Sequence, residues 1–261
     1  MLTLVEAAGL PPGGLTVEER GEGPPVLLVH GTGTGRGLWA ETLDALGGEL
    51  RTIAYDRRAY GGSGAPEPYG GTTVEEQTED AAALLEARAG AEAAVVCGHD
   101  LGALVCLDLL RRHAARVRAA VLVEPPLLSL SARGPEAMGA LREAVARGAG
   151  DGPAGAVDAY LQVLGGAPLG PERLSAARAA SRAFAADLAA APHWSFTRRA
   201  LRAVTAPAVV VSGRRSPAVW REVAASAAEL LGGWRLEMAD AGHWVPIEDP
   251  VAVAQAIRNL T

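Results

Sequence analysis

Lysine is absent from this 261-residue chain, so all 24 basic side chains are arginine, and asparagine occurs once, at Asn259. Alongside abundant alanine and glycine, this reads as a GC-rich coding bias rather than a functional signal. The formal net charge is -6, which leaves no basic field to hold nucleic acid or an anionic membrane and makes a small molecule the expected partner. No apolar run approaches the roughly 20 residues needed to span a bilayer. Met1 to Leu10 has no basic n-region and carries Glu6, so a cytoplasmic protein is expected. The only two cysteines, Cys97 and Cys106, fall on segments expected to be buried, which favours free thiols over a disulfide. No Cys/His/Asp cluster shows ligand spacing, so no metal and no cofactor are expected. There is no internal repeat, and no feature selects an oligomeric state.

What is present is a core-forming composition, 49% hydrophobic and 21% charged, enough for one α/β domain with an insertion. Short apolar strands are expected at Leu15–Glu19, Pro25–Val29, Arg51–Tyr55, Ala93–Cys97, Val117–Val123, Ala208–Ser212 and Arg235–Met238. Several are apolar at consecutive positions, as in strands buried on both faces of a mostly parallel sheet. Helices are expected at Thr73–Arg88, Leu101–His113, Ala218–Leu231 and Val251–Leu260. Between Leu127 and about Val204 the alternation stops, and an Ala-, Gly- and Arg-rich stretch with helical periodicity replaces it. We therefore expect a core of residues 1–126 and 205–261 with a helical cap at 127–204. The glycine and proline clusters at Gly61–Gly71 and Gly148–Gly155 read as loops.

The most informative segment is Gly98-His99-Asp100-Leu101-Gly102, between the strand ending at Cys97 and the following helix. A strand that turns sharply into a helix needs glycine on both sides of the central residue, because the backbones approach too closely for a Cβ. Asp100 is expected to be presented at the tip rather than buried. A carboxylate with an ordinary pKa of roughly 4 is already ionised at neutral pH and needs no base before it attacks an alkyl carbon.

Around this elbow stand His30-Gly31, Asp56-Arg57-Arg58 with Tyr60-Gly61-Gly62-Ser63, and Gly242-His243-Trp244 after the last strand. In these motifs and their order the chain resembles the α/β-hydrolases over nearly all of its length outside the cap. The resemblance implies an α/β-hydrolase fold, a mostly parallel eight-stranded sheet flanked by helices. A Gly-His-Asp elbow resembles the branch of epoxide hydrolases and haloalkane dehalogenases. Val123-Glu124-Pro125-Pro126 and Ser212-Gly213-Arg214-Arg215-Ser216 look more like small bacterial hydrolases whose elbow holds serine. On this resemblance Asp100 is the nucleophile, His243 the water-activating base, and the backbone N–H groups of Thr32 and Leu101 the oxyanion hole. The loop after the seventh strand, Gly213 to Pro217, carries no carboxylate, so Glu124 is expected to orient His243, with Asp240 the nearer competitor in sequence.

An epoxide hydrolase needs an acidic donor over the oxirane oxygen, usually a pair of cap tyrosines. Tyr160 is the one tyrosine of the expected cap, so His193 or Trp194 is the candidate second donor, and Trp244 a further substrate contact. Dehalogenation is less well served, because Leu101 and Thr32 stand where that branch places halide-binding side chains. The Ala-rich cap suggests an apolar pocket. Three other readings stay open: a haloalkane dehalogenase, a noncovalent esterase-, lactonase- or cyclase-like enzyme, and a pocket that only binds ligand. A fourth arises from Gly35-Arg36-Gly37-Leu38-Trp39-Ala40, which fits a dinucleotide fingerprint with Asp56 about 20 residues on. It leaves the elbow, Glu124 and His243 unexplained.

Overall fold

The computed structural model describes residues 1–166, 168–230 and 235–261. Its strands are β1 (Leu2–Val5), β2 (Leu15–Arg20), β3 (Pro25–Val29), β4 (Arg51–Tyr55), β5 (Ala94–His99), β6 (Val117–Val123), β7 (Ala208–Gly213) and β8 (Arg235–Ala239). They form one eight-stranded sheet in the order β1-β2-β4-β3-β5-β6-β7-β8. The β1/β2 and β2/β4 pairs are antiparallel and the rest parallel. All seven expected strands are found within two residues at each end. The eighth, β1, carries alternating Leu2 and Leu4 on an exposed edge, too short and open for apolar patterning to reveal.

The central strands are buried along their whole length, as their continuous Val, Leu and Ala runs require. Helices α1 (Ala40–Leu46), α2 (Val74–Ala89) and α3 (Leu101–Arg112) follow in chain order. Thr73 starts α2 with a capping box, its side chain accepting from the Glu76 amide while Glu76 accepts from the Thr73 amide. Between β6 and β7 the elements among the described residues are all helical: α4 (Gly134–Gly148), α5 (Pro153–Val163), α6 (Gly170–Ala179), α7 (Ser181–Ala190) and α8 (Arg198–Arg202), with short 3-10 turns. After β7 come α9 (Ala218–Leu230), α10 (Val245–Glu248) and α11 (Pro250–Arg258). The expected end of α9 at Leu231 lies outside the described residues.

One loop expectation is overturned. Gly148–Gly155 is the end of α4, a 3-10 turn and the start of α5. A Cβ on Gly148 would sit 2.4 Å from the Gly155 carbonyl oxygen, so these glycines let two helices cross closely rather than open a loop. Cys97 and Cys106 are free, buried thiols, held protonated by desolvation.

Candidate active site

The elbow takes its shape from steric exclusion. A Cβ on Gly98 would lie 2.2 Å from the Gly102 carbonyl oxygen, and one on Gly102 would lie 2.1 Å from that of Val29. Between them Asp100 adopts φ 49°, a positive value uncommon for any residue other than glycine. That conformation turns the carboxylate out of the sheet at the carboxyl end of β5. Contrary to the expectation of an open tip, Asp100 is only 4% exposed. The reason is Tyr160 of α5, whose hydroxyl donates to Asp100 Oδ2 at 3.2 Å and roofs the turn.

The same oxygen accepts the Thr32 backbone N–H at 2.9 Å. Oδ2 thus holds two donors, and no hydrogen bond reaches Oδ1 among the described residues. Leu101, whose amide is the other expected oxyanion donor, heads α3 directly after Asp100. Gly31, just before Thr32, has no room for a side chain: its Cβ would meet Asp100 Cβ at 2.8 Å and His99 Nδ1 at 2.9 Å. Burial and the neighbouring Asp100 push the Tyr160 hydroxyl well above its ordinary pKa, so it stays protonated as a donor.

Glu124 follows β6 directly, with φ 50°, and is 1% exposed. Its Oε1 accepts from the Gly213 amide (2.7 Å), Ser212 Oγ (2.8 Å) and Ser216 Oγ (2.9 Å). Its Oε2 lies 3.2 Å from His243 Nδ1, and both side chains are buried. Asp240, by contrast, pairs with Arg215 in solvent, so proximity in sequence does not bring it to the histidine. His243 Nε2 is buried without a hydrogen-bond partner among the described residues, which leaves it free to take a proton.

His99, to which sequence reasoning gave no role, supports His243. Its Nε2–H donates to the His243 carbonyl at 2.9 Å, and its ring lies 4.9 Å from the His243 ring. Burial and the adjacent His243 lower its pKa to about 4, so it is neutral at physiological pH. His30 is likewise held well below its ordinary value by burial and Arg57. Its Nε2 accepts the Arg57 amide at 2.9 Å, which leaves Nδ1–H to donate to the Gly31 carbonyl at 2.8 Å.

The remaining expected contacts separate. Trp244 packs edge-on against His243 at 5.2 Å and is buried. Trp194 is buried and lines an apolar cavity of about 450 Å³ with Leu104, Leu127, Leu128, Met138 and Phe196. His193 is exposed and lines none of the described cavities, because the buried Trp194 takes the inward position at the end of its turn. Sequence reasoning missed Trp220, whose ring stands edge-on to His243 at 5.7 Å, and the buried Asp187. An acid inside an Ala-rich apolar helix was the available signal for Asp187. A second cavity, of about 330 Å³, reaches His243 and Trp244 between Leu164, Gly166, Arg215 and Pro217.

The glycine-rich Gly35–Ala40 stretch is bound up with its own loop. Asp56 accepts the Arg36 amide at 2.8 Å and pairs with the Arg36 guanidinium, and a Cβ on Gly61 would lie 2.2 Å from its carboxylate. Asp56 therefore closes the turn and is not offered to a ribose. Among the described residues no His/Cys/Asp/Glu group is arranged to hold a metal, and no helix is long and apolar enough to cross a membrane.

Fold and site define an α/β protein that carries a buried carboxylate at its strand–helix elbow and, after the strands beyond, a buried histidine–glutamate pair. Residues 26–256 match the alpha/beta hydrolase family, and the chain belongs to it. It is similar to epoxide hydrolase A of Mycobacterium tuberculosis, 38% identical over 44% of this chain and 36% of that protein. It is also similar to the uncharacterized hydrolase YraK of Bacillus subtilis, 34% identical over 46% of this chain and 44% of that one. The chain thus spans less than half the length of the curated relatives it matches. Among solved structures, a thermophilic esterase from Thermogutta terrifontis superposes with a TM-score of 0.73 at 25% identity, covering 99% of this chain and 96% of that one.

Proposed function

We propose that the protein opens epoxides of hydrophobic small molecules through a covalent alkyl ester on Asp100, with residues 127–204 as a cap over the site. The observation that carries this reading is the division of labour within the Asp100 carboxylate: Oδ2 is bound by Thr32 and Tyr160, while Oδ1 is unengaged. In this reading Oδ1 attacks an oxirane carbon, the carbon–oxygen bond breaks, and the released alkoxide takes the proton of Tyr160. Water deprotonated by His243 Nε2, with Glu124 on Nδ1, then attacks the aspartyl carbonyl carbon. Negative charge develops on Oδ2, where the Thr32 and Leu101 amides stabilise it. Breaking the bond from that carbon to Oδ1 frees the diol with Oδ1, which takes the second proton of the attacking water, so that Asp100 returns as a carboxylate holding the water oxygen, and the His243 proton returns to the Tyr160 phenolate.

The apolar cavity at Trp194 suits the hydrocarbon part of such a substrate, since Leu104 on its wall is one helical turn from Asp100. The likeness to a mycobacterial epoxide hydrolase agrees with this reading. An ester reaction is the second reading, favoured by the esterase similarity. The test is mass spectrometry of a His243→Gln variant exposed to epoxides, haloalkanes and esters. The whole epoxide mass on the Asp100 peptide is expected. An alkyl adduct without halogen assigns dehalogenation instead, and turnover that survives Asp100→Asn rules out the covalent route.

A further inference from the structure

Thr32 offers its N–H to Asp100 only if the Gly31–Thr32 peptide plane is held in one orientation. In a trans peptide the C=O and N–H point in opposite directions, so whatever grips the Gly31 oxygen aims the Thr32 N–H. Three donors grip it: His30 Nδ1 at 2.8 Å, Thr34 Oγ1 at 2.9 Å and Arg57 Nη2 at 3.1 Å. On the other side of Thr32, the Gly33 amide donates to the Tyr60 hydroxyl at 3.2 Å.

Arg57 and Tyr60 are in turn fixed by one residue of α7. Asp187 Oδ2 accepts Arg57 Nη2 at 2.6 Å and the Tyr60 hydroxyl at 2.7 Å, and its Oδ1 accepts Arg57 Nη1 and Gln77 Nε2, both at 3.0 Å. Arg57 and Asp187 are each 1% exposed. Arg57 Nε donates to the His30 carbonyl at 2.9 Å, and Nη1 also donates to Gln77 Oε1, so each guanidinium nitrogen has an acceptor. A carboxylate so placed is costly unless its partners are present, which ties the seating of α7 to the order of the loop beneath it.

We infer that Asp187 is a positioning residue for the oxyanion donor: helix α7, 130 residues along the chain from Arg57, orients the Thr32 amide through Arg57 and Tyr60. The site is complete only with α7 seated. The catalytic consequence rests on the ester mechanism above, whereas the positioning does not.

The experiment records the Thr32 amide resonance by ¹H–¹⁵N NMR in the unmodified protein and in Asp187→Asn, Tyr60→Phe and Asp100→Ala variants. Thermal melts and single-turnover hydrolysis of an ester formed from styrene oxide are measured alongside. Asp187→Asn and Tyr60→Phe are expected to move the Thr32 proton upfield toward its Asp100→Ala position. They should also slow ester hydrolysis by about 10- to 100-fold, somewhat less than loss of a whole oxyanion donor. Lowered melting temperatures with the Thr32 resonance unmoved in both variants would overturn the inference, since they leave only a structural role. Tyr60→Phe decides the matter if Asp187→Asn does not fold. Because the NMR arm needs no turnover, absence of any Asp100 adduct would remove the covalent mechanism and leave the positioning still decided by the resonance.

Discussion

His243 Nδ1 stands 3.2 Å from Glu124 Oε2, and the opposite oxygen of Glu124 is already held by Gly213, Ser212 and Ser216. Three donors on Oε1 fix which oxygen faces the imidazole. In Glu124→Gln the amide oxygen keeps those donors, which forces the NH₂ toward His243 Nδ1. The imidazole must then carry its proton on Nε2 and cannot accept one from water. Ester hydrolysis is expected to fall by about 10²- to 10⁴-fold with alkylation of Asp100 little changed. Rapid-quench mass spectrometry checks this by accumulation of the alkylated protein. Equal slowing of both steps would remove Glu124 from the second step.

Under the proposed mechanism, Tyr160 separates the two chemistries open to an aspartate nucleophile. Its hydroxyl, 3.2 Å from Asp100 Oδ2, is kept protonated by burial and can supply the proton an oxirane oxygen needs on opening. A halide leaves without one. Tyr160→Phe is therefore expected to slow alkylation by an epoxide by about 10²-fold or more while alkylation by a haloalkane changes little. Stopped-flow burst rates for both substrates on the variant give the answer. An epoxide rate equal to that of the unmodified protein would take Tyr160 out of proton donation.

Stability should decline in acid because of His99. Its folded pKa of about 4 lies below the ordinary 6.5, so the unfolded chain binds a proton that the folded one refuses between those values. Folding free energy is complete above pH 6.5 and is lost as pH falls toward 4, by about 3 kcal/mol for this residue. His30, also buried and neutral, acts in the same direction. Urea unfolding at pH 7.5, 5.5 and 4.5, run beside a His99→Gln variant, isolates the contribution of His99. Parallel declines in both proteins would refute the assignment.

Two glycines of one loop should answer oppositely to the same substitution. A Cβ on Gly31 meets Asp100 Cβ at 2.8 Å and His99 Nδ1 at 2.9 Å, whereas one on Gly37 meets nothing within 4 Å. Gly31→Ala is expected to cost about 1–3 kcal/mol by overpacking and to displace the elbow. Gly37→Ala should be neutral or stabilising by about 0.5 kcal/mol, through the unfolded chain. Denaturant midpoints compare the two directly, and a tolerated Gly31→Ala would show that the loop can yield.

Much of this molecule was determined by local sequence. The apolar runs of β3 to β7 place themselves in a buried parallel sheet, and Gly98 and Gly102 dictate the elbow because a Cβ at either position collides with backbone. His243 was singled out by the resemblance alone, through the glycine–histidine–tryptophan motif after the last strand. The resemblance pointed to Glu124 rather than Asp240 as the acid for that histidine, and the tertiary structure shows why. Glu124 is 119 residues away, and the sheet order sets β6 beside β7 and β7 beside β8, while Asp240, three residues off, turns to solvent. The burial of Asp100 beneath Tyr160 and the pairing of Arg57 with Asp187 were equally invisible, and His193 was misplaced, because each depends on how helices between β6 and β7 settle on the sheet. A steric demand leaves its mark in the chain as glycine, even where, as at Gly102 against Val29, the clash is with a distant strand, whereas desolvated polar pairs form between residues that only the folded packing makes neighbours.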